Sequence, residues 1–409
     1  MKTAPPGWLA GAGTEPEALI REARGRQRRR YLALGTAIIA VVAGAVAVST
    51  GSGADSHPQP PGRHSVAAAN PVPSAMSGLP MPPGNSVRLL LTGPRPAWFS
   101  VASRQTERIA GLPWQRLGYG FARVAGGWSA QPVTAGPQCL PTCAGPPLPN
   151  YFIADGSPRA TRIGRGYGVS AAYRSGAVWM LTFQRSTDDI GAMSARAQEV
   201  TTAGRPVGPR FRLPAGYWIQ RAVGADLLLA PRYEAPGTVT YKLWDPNTRR
   251  VTGTFSDVIA TSPDEIAWGP ICVNCPVHVL DLSTGMSATI PVPRGTWASN
   301  NGTFSSDGRF LTLLLGAGAA PDGAPVVTRI GVIDIGSRRL LPVPGTTLSG
   351  VVWNRLSFGW QARSHRLIAV LPSSGDTIQV ASWQPGGAHL LVATARIPRG
   401  TSVVLGQYG

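Results

Sequence analysis

Two stretches near the C-terminal end set the period of this chain. Residues 279–293, VLDLSTGMSATIPVP, and residues 332–345, VIDIGSRRLLPVPG, follow one plan. Apolar and polar positions alternate, an Asp follows, small residues make a turn, and a second alternating run ends in Pro. Alternation with a period of two marks a half-buried strand, and Asp before Ser, Thr or Gly marks a turn. The same plan can be traced at 97–113, 150–166, 194–216, 241–255, 277–293, 330–345 and 378–398. Equivalent turn positions near Ala102 and Ser382 lie six steps apart, about 47 residues per step, within the range of propeller blades.

The residues between these pairs supply two further strands per unit. NNGTFSSDGRFLTLLLG, at 300–316, carries one strand, an SSDG turn and an apolar second strand from Phe310 to Leu315. Four antiparallel strands per unit predict an all-β fold, a seven-bladed β-propeller, over residues 86–409. The third and seventh copies are the loosest, so six or eight blades stay open. SVRLLLTG, at 86–93, lacks an inner strand ahead of it, and TSVVLGQYG follows the last pair. The segment 401–407 is therefore expected to complete the first blade and remove its open edge.

The pattern changes before residue 86. Residues 31–48, YLALGTAIIAVVAGAVAV, are apolar throughout. As a helix they span roughly 27 Å, close to the hydrocarbon thickness of a bilayer. Arg24, Arg26, Arg28, Arg29 and Arg30 stand directly before this run, and a nearly uncharged GSGADSHPQPPG follows it. Positive charge stays on the cytoplasmic side. The expected organisation is a basic cytoplasmic tail (1–30), a single transmembrane helix at 31–49 acting as signal anchor, a Pro/Gly/Ser-rich disordered linker (50–85), and an extracytoplasmic propeller. Ala45-Val46-Ala47 also fits a cleavage site, so secretion after signal cleavage is the alternative.

The net charge is +18, and of 38 basic residues only Lys2 and Lys242 are lysine. The arginine bias reads as base composition. The charge itself favours anionic partners. Outside the membrane these are a protein surface or an anionic cell-envelope polymer, not nucleic acid. A monomer is expected, with the oligomeric state left open.

Cys139, Cys143, Cys272 and Cys275 all fall in the outer compartment, where disulfides persist. Each pair lies between the second and third strands of its blade, and the two blades are far apart in the ring. Two local bridges, Cys139–Cys143 and Cys272–Cys275, are expected rather than one shared zinc site. CVNC as a redox motif is disfavoured, since no helix opens there to lower a thiol pKa.

Catalytic motifs are absent: no nucleophile elbow, no phosphate-cradling glycine loop and no HExxH. Asp245, Asp281 and Asp334 recur at one turn position, where accepting backbone N–H bonds explains them. Trp128, Trp179, Trp218, Trp268, Trp297 and Trp353 recur at blade-like intervals. They read either as packing between blades or as aromatics at an axial mouth, able to stack on a ligand. No catalytic residue, metal ligand or cofactor is assigned.

FSSDGR at 304–309 resembles the FSPDGR turn of TolB-like and WD-repeat-like propellers, with Ser306 in place of Pro, and LWDP at 243–246 is similar to the WD dipeptide. The resemblance implies the propeller fold and no chemistry. Tail, span, spacer and propeller together resemble envelope proteins of high-GC Gram-positive bacteria. The reading that follows is a membrane-anchored binding or scaffold module, more an adaptor than an enzyme. The alternatives are an envelope hydrolase or lyase acting at the channel mouth, and a transmembrane signalling protein with a sensor propeller and a docking tail.

Overall fold

The computed structural model describes residues 74–82, 87–133, 147–166, 168–171, 176–184, 194–231, 239–318, 325–350, 355–361, 365–373 and 375–405. The basic tail, the apolar run at 31–49, Cys139, Cys143 and Trp353 lie outside them.

The described chain is all-β and forms seven antiparallel sheets, each a blade of a seven-bladed propeller. Blades 2 to 7 are meanders in chain order. Their second strands are Gly127–Pro132, Ala177–Gln184, Asp226–Pro231, Glu265–Trp268, Phe310–Ala317 and Arg366–Pro372. Blade 1 is built from Arg88–Leu91, Ala97–Ser100 and Thr106–Arg108, with Val403–Val404 as its innermost strand. Leu90 pairs with Val404 and Leu91 with Val403, and the amide of Thr92 donates to the Ser402 carbonyl at 2.8 Å. Residues 406–409 lie outside the described chain.

Second strands are apolar on both sides because both sides are covered. In blade 6, Leu311, Leu313 and Leu315 pack toward blade 5, while Phe310 and Leu314 pack toward blade 7. Seven hydrophobic clusters fill the seven junctions between neighbouring blades, the junction of blade 7 with blade 1 included. That count excludes six or eight blades and an open ring.

The recurring Asp residues hold turns. Asp245 accepts from the Asn247 amide at 2.7 Å and the Thr248 hydroxyl at 2.6 Å. Asp281 accepts from the Ser283 amide at 2.8 Å, and Asp334 from the Ser337 amide at 3.3 Å. In FSSDGR, the Ser305 hydroxyl accepts from the Phe310 amide at 2.9 Å. Gly308 sits at φ +71°, and a Cβ there would come within 2.7 Å of the Glu265 carboxylate in blade 5. Glycine is required twice over, by conformation and by space.

The spacer does not run disordered to residue 85. Leu79–Pro80 adds a parallel fifth strand to the outer edge of blade 7, with Leu79 opposite Leu391 and Pro80 opposite Val392. Met76 is buried in the cluster between blades 6 and 7, its amide donating to Gln379 Oε1 at 2.9 Å. Pro is tolerated because an edge strand needs bonds on one side only. The composition of the segment pointed to a linker; an open edge strand and an apolar slot for Met76 ordered it.

Candidate functional site

Turns joining first to second and third to fourth strands share one face of a meander blade. On this face, where the innermost strand of blade 1 is only two residues long, a cleft of about 620 Å³ opens between blades 1, 2 and 7. Its walls include Arg88, Trp98, Arg123, Trp128, Trp360 and Gln361. The volume falls among those of ligand pockets.

Each wall is held from behind. Arg123 is the last residue but one of the first strand of blade 2, Tyr119–Val124, and pairs in register with Trp128 across a tight turn. Its guanidinium lies 5.2 Å from the Trp128 ring centre and donates to both oxygens of Asp155, the second bond at 2.7 Å, and to the Gly127 carbonyl at 3.0 Å. Arg88 repeats the arrangement in blade 1. It lies 5.6 Å from the Trp98 ring centre and bonds Glu107 at 2.5 Å and the Gly156 carbonyl at 3.2 Å. The Trp98 indole donates to the Ser157 carbonyl at 2.7 Å. Trp360 donates to the Thr303 carbonyl at 3.2 Å and stacks on Phe310 at 5.7 Å. The result is a rigid, aromatic recess with its charges paired in the wall, the pattern of a pre-organised binding surface.

A second feature lies on the same face. Glu265 opens the second strand of blade 5, and Asp307 and His365 occupy the turns after the first strands of blades 6 and 7. Burial pushes the Glu265 carboxyl up to about 7; Asp281, Asp264 and Asp307 push the same way, against a 3.0 Å bond from the Ser262 hydroxyl. Burial also raises Asp307, but bonds from Ser305 and Arg309 and the nearby His365 outweigh it and hold it below the usual carboxylate range. His365 Nδ1 lies 3.1 Å from Asp307. Among the described residues no three His, Cys, Asp or Glu side chains are placed to hold a metal ion.

The tryptophans expected from the sequence occupy several environments. Trp128 and Trp179 are buried between blades, the latter tilted against Phe211. Trp268 is half-buried between Phe255 and His278, and Trp297 is half-buried with its ring over Gly316. Trp218 is 39% exposed. Of those described, only Trp128 lines the cleft. Cys272 and Cys275 form a local disulfide in the loop between the second and third strands of blade 5. The cleft residues Arg88, Trp98, Arg123, Asp155 and Trp360 carry no sequence signature as a group. Trp128 alone stood out in the sequence, by its blade-like spacing; its place opposite Arg123 across a tight turn is a signal that could have found the pair.

No family model matches the chain, and no curated protein matches it in sequence. Solved structures do resemble it. A study of two prolyl endopeptidases and their inter-domain dynamics supplies one, at 12% identity and TM-score 0.48, over 81% of this chain and 51% of that one. A puromycin-hydrolysing peptidase of Mycobacterium tuberculosis matches at 12% identity and TM-score 0.40, over 80% and 53%. The β-propeller domain of the Trilobed protease of Pyrococcus furiosus matches at 9% and 0.40, over 68% and 83%. This chain spans about half the length of the first two. At such identities the likeness extends to the fold and not to activity.

Proposed function

We propose that this protein is a membrane-anchored, extracytoplasmic binding or scaffold module without chemistry of its own, whose ligand is a protein or an anionic envelope polymer. The observation that carries this reading is the cleft between blades 1, 2 and 7. Its two arginines are paired to acids and backrested by tryptophans, so it offers shape and apolar surface rather than a free acid, base or nucleophile. The arginine cluster before residue 31 supports the topology, and the Cys272–Cys275 bridge fits an oxidising compartment. Two measurements test the reading. Protease added to intact protoplasts should remove the propeller and spare the tail; a protected propeller overturns the topology. The full-length protein in nanodiscs should gain melting temperature with a bound envelope ligand and convert none of them.

A second reading, an envelope hydrolase or lyase, rests on Glu265 and the His365–Asp307 pair. A carboxyl titrating near neutrality beside a His–Asp contact is the arrangement general acid–base catalysis uses. Turnover of an envelope polymer, lost in Glu265→Gln and in His365→Ala, would establish it. Turnover absent from the wild-type protein removes it.

A further inference from the structure

We propose that the outer rim of blades 1 to 3 is a docking band for a linear polyanion. This deepens the anionic-ligand branch of the function above and rests on it. The outer strands of blades 2 and 3, Ala160–Gly166 and Pro206–Arg212, hold or adjoin five exposed arginines: Arg159, Arg162, Arg165, Arg205 and Arg212. Arg108, on the outer strand of blade 1, is exposed as well. Among the described residues none of the six forms an ion pair. The acids nearest in sequence are committed or recessed: Glu107 bonds Arg88, Asp155 bonds Arg123, and Glu199 is half-buried.

The band is continuous. Ala110, two residues beyond Arg108, bridges to Arg159, with the Ala160 amide donating to the Ala110 carbonyl at 2.8 Å. Gly204, beside Arg205, abuts the middle of the blade 2 outer strand so closely that a Cβ would stand 2.9 Å from the Ile163 carbonyl. Each of the two strands runs about 20 Å at the usual rise per residue, and the second begins beside the middle of the first.

Charge on edge strands also prevents edge-to-edge pairing. That role would call for charge on every blade. Blade 5 has none on its outer strand, Ser287–Ile290, and blade 7 covers its own with Leu79–Pro80. Blades 4 and 6 place their arginines at the turn, where Asp245 and Asp334 sit beside them. The excess is local to the rim of blades 1 to 3. Three consecutive blades of a seven-bladed ring turn through more than a right angle. A flat lipid surface touches such a rim along one line, whereas a flexible chain of phosphate or carboxylate groups follows it. The near-absence of lysine from the whole chain leaves phosphate and carboxylate equal.

The test uses the full-length protein in zwitterionic nanodiscs, titrated with inorganic polyphosphate, with polyglutamate and with phosphatidylglycerol vesicles at two salt concentrations. Three proteins are compared: wild type, a band variant (R162Q, R165Q, R205Q and R212Q together), and a control of equal net charge (R249Q, R250Q, R338Q and R339Q). All eight residues are exposed, so both variants should melt with the wild type. The band variant should bind at least tenfold more weakly and lose part of the salt dependence, because each charge contact releases counterions. The control should stay within about twofold. Preference for polyphosphate or for polyglutamate identifies the anionic group. Equal loss in both variants would leave only diffuse attraction and overturn the band. Loss confined to anionic vesicles would assign the band to lipid. Failure of the wild type to bind either polymer would remove the anionic-ligand reading itself.

Discussion

The Arg123–Asp155 pair should be asymmetric in its energetics. The Arg123 side chain is 8% exposed and Asp155 is 38% exposed. Asp155→Asn removes the countercharge from a guanidinium that is almost wholly buried. Breaking a buried pair in this way costs about 3–5 kcal/mol. The Gly127 carbonyl and the Trp128 ring remain as partners, and the new amide still offers one acceptor. The expected cost is therefore about 2–3 kcal/mol. Arg123→Met instead leaves a carboxylate at the surface, where it rehydrates, and refills most of the volume of the arginine stem. Its cost should be about 1 kcal/mol. The double variant should cost little more than Arg123→Met alone, a coupling of about 2 kcal/mol. Urea unfolding of the four proteins, followed by tryptophan fluorescence, measures the cycle. A larger loss for Arg123→Met than for Asp155→Asn, or additive losses, would refute the reasoning, because either would mean that burial does not decide which partner matters.

Deletion of residues 401–409 removes the innermost strand of blade 1, exposes Leu90 and Leu91, and should lower stability by several kcal/mol; an unchanged melting temperature and solubility would show that the ring does not depend on closure there. Glu265 binds its proton more tightly in the folded state, with a pKa near 7 against 4.5, so stability should fall as pH rises from about 4.5 to 7. Its half-buried position limits the loss to about 1–2 kcal/mol, and Glu265→Gln should flatten that part of the stability–pH curve measured by denaturant titration. Arg221 lies between the inner strands of blades 4 and 5 with a single bond at 3.3 Å to the Thr261 hydroxyl and an unbonded Nε, and burial lowers its pKa to about 10. Replacing an uncompensated charge by Met should be neutral or raise stability by about 1 kcal/mol, and a loss above that size by calorimetry would indicate a partner for the charge.

The architecture was legible along the chain because a blade is a local object. Its four strands are consecutive, so period-two alternation, Asp-led turns and a spacing near 47 residues report it without long-range information. Asp281 and Asp334 could be assigned to turns from their neighbours, since a side chain that caps its own turn needs only the next three residues. FSSDGR was recognisable for the same reason, although the need for Gly308 to make room for Glu265 was not.

What joins different blades depended on the tertiary structure. The register of Val403–Val404 with Leu90–Leu91 links residues some three hundred positions apart. The ordering of Met76–Pro80 depends on an edge and a slot that the rest of the ring provides, so composition misplaced the end of the linker. The cleft gathers Arg88, Trp98, Arg123 and Trp360 from three blades, and the rim sets Ala110 against Arg159 and Gly204 against Ile163. Strand periodicity says that a side chain points out of its sheet. It does not say which neighbouring blade, acid or open face lies opposite, because that is set by ring closure and by the packing between sheets.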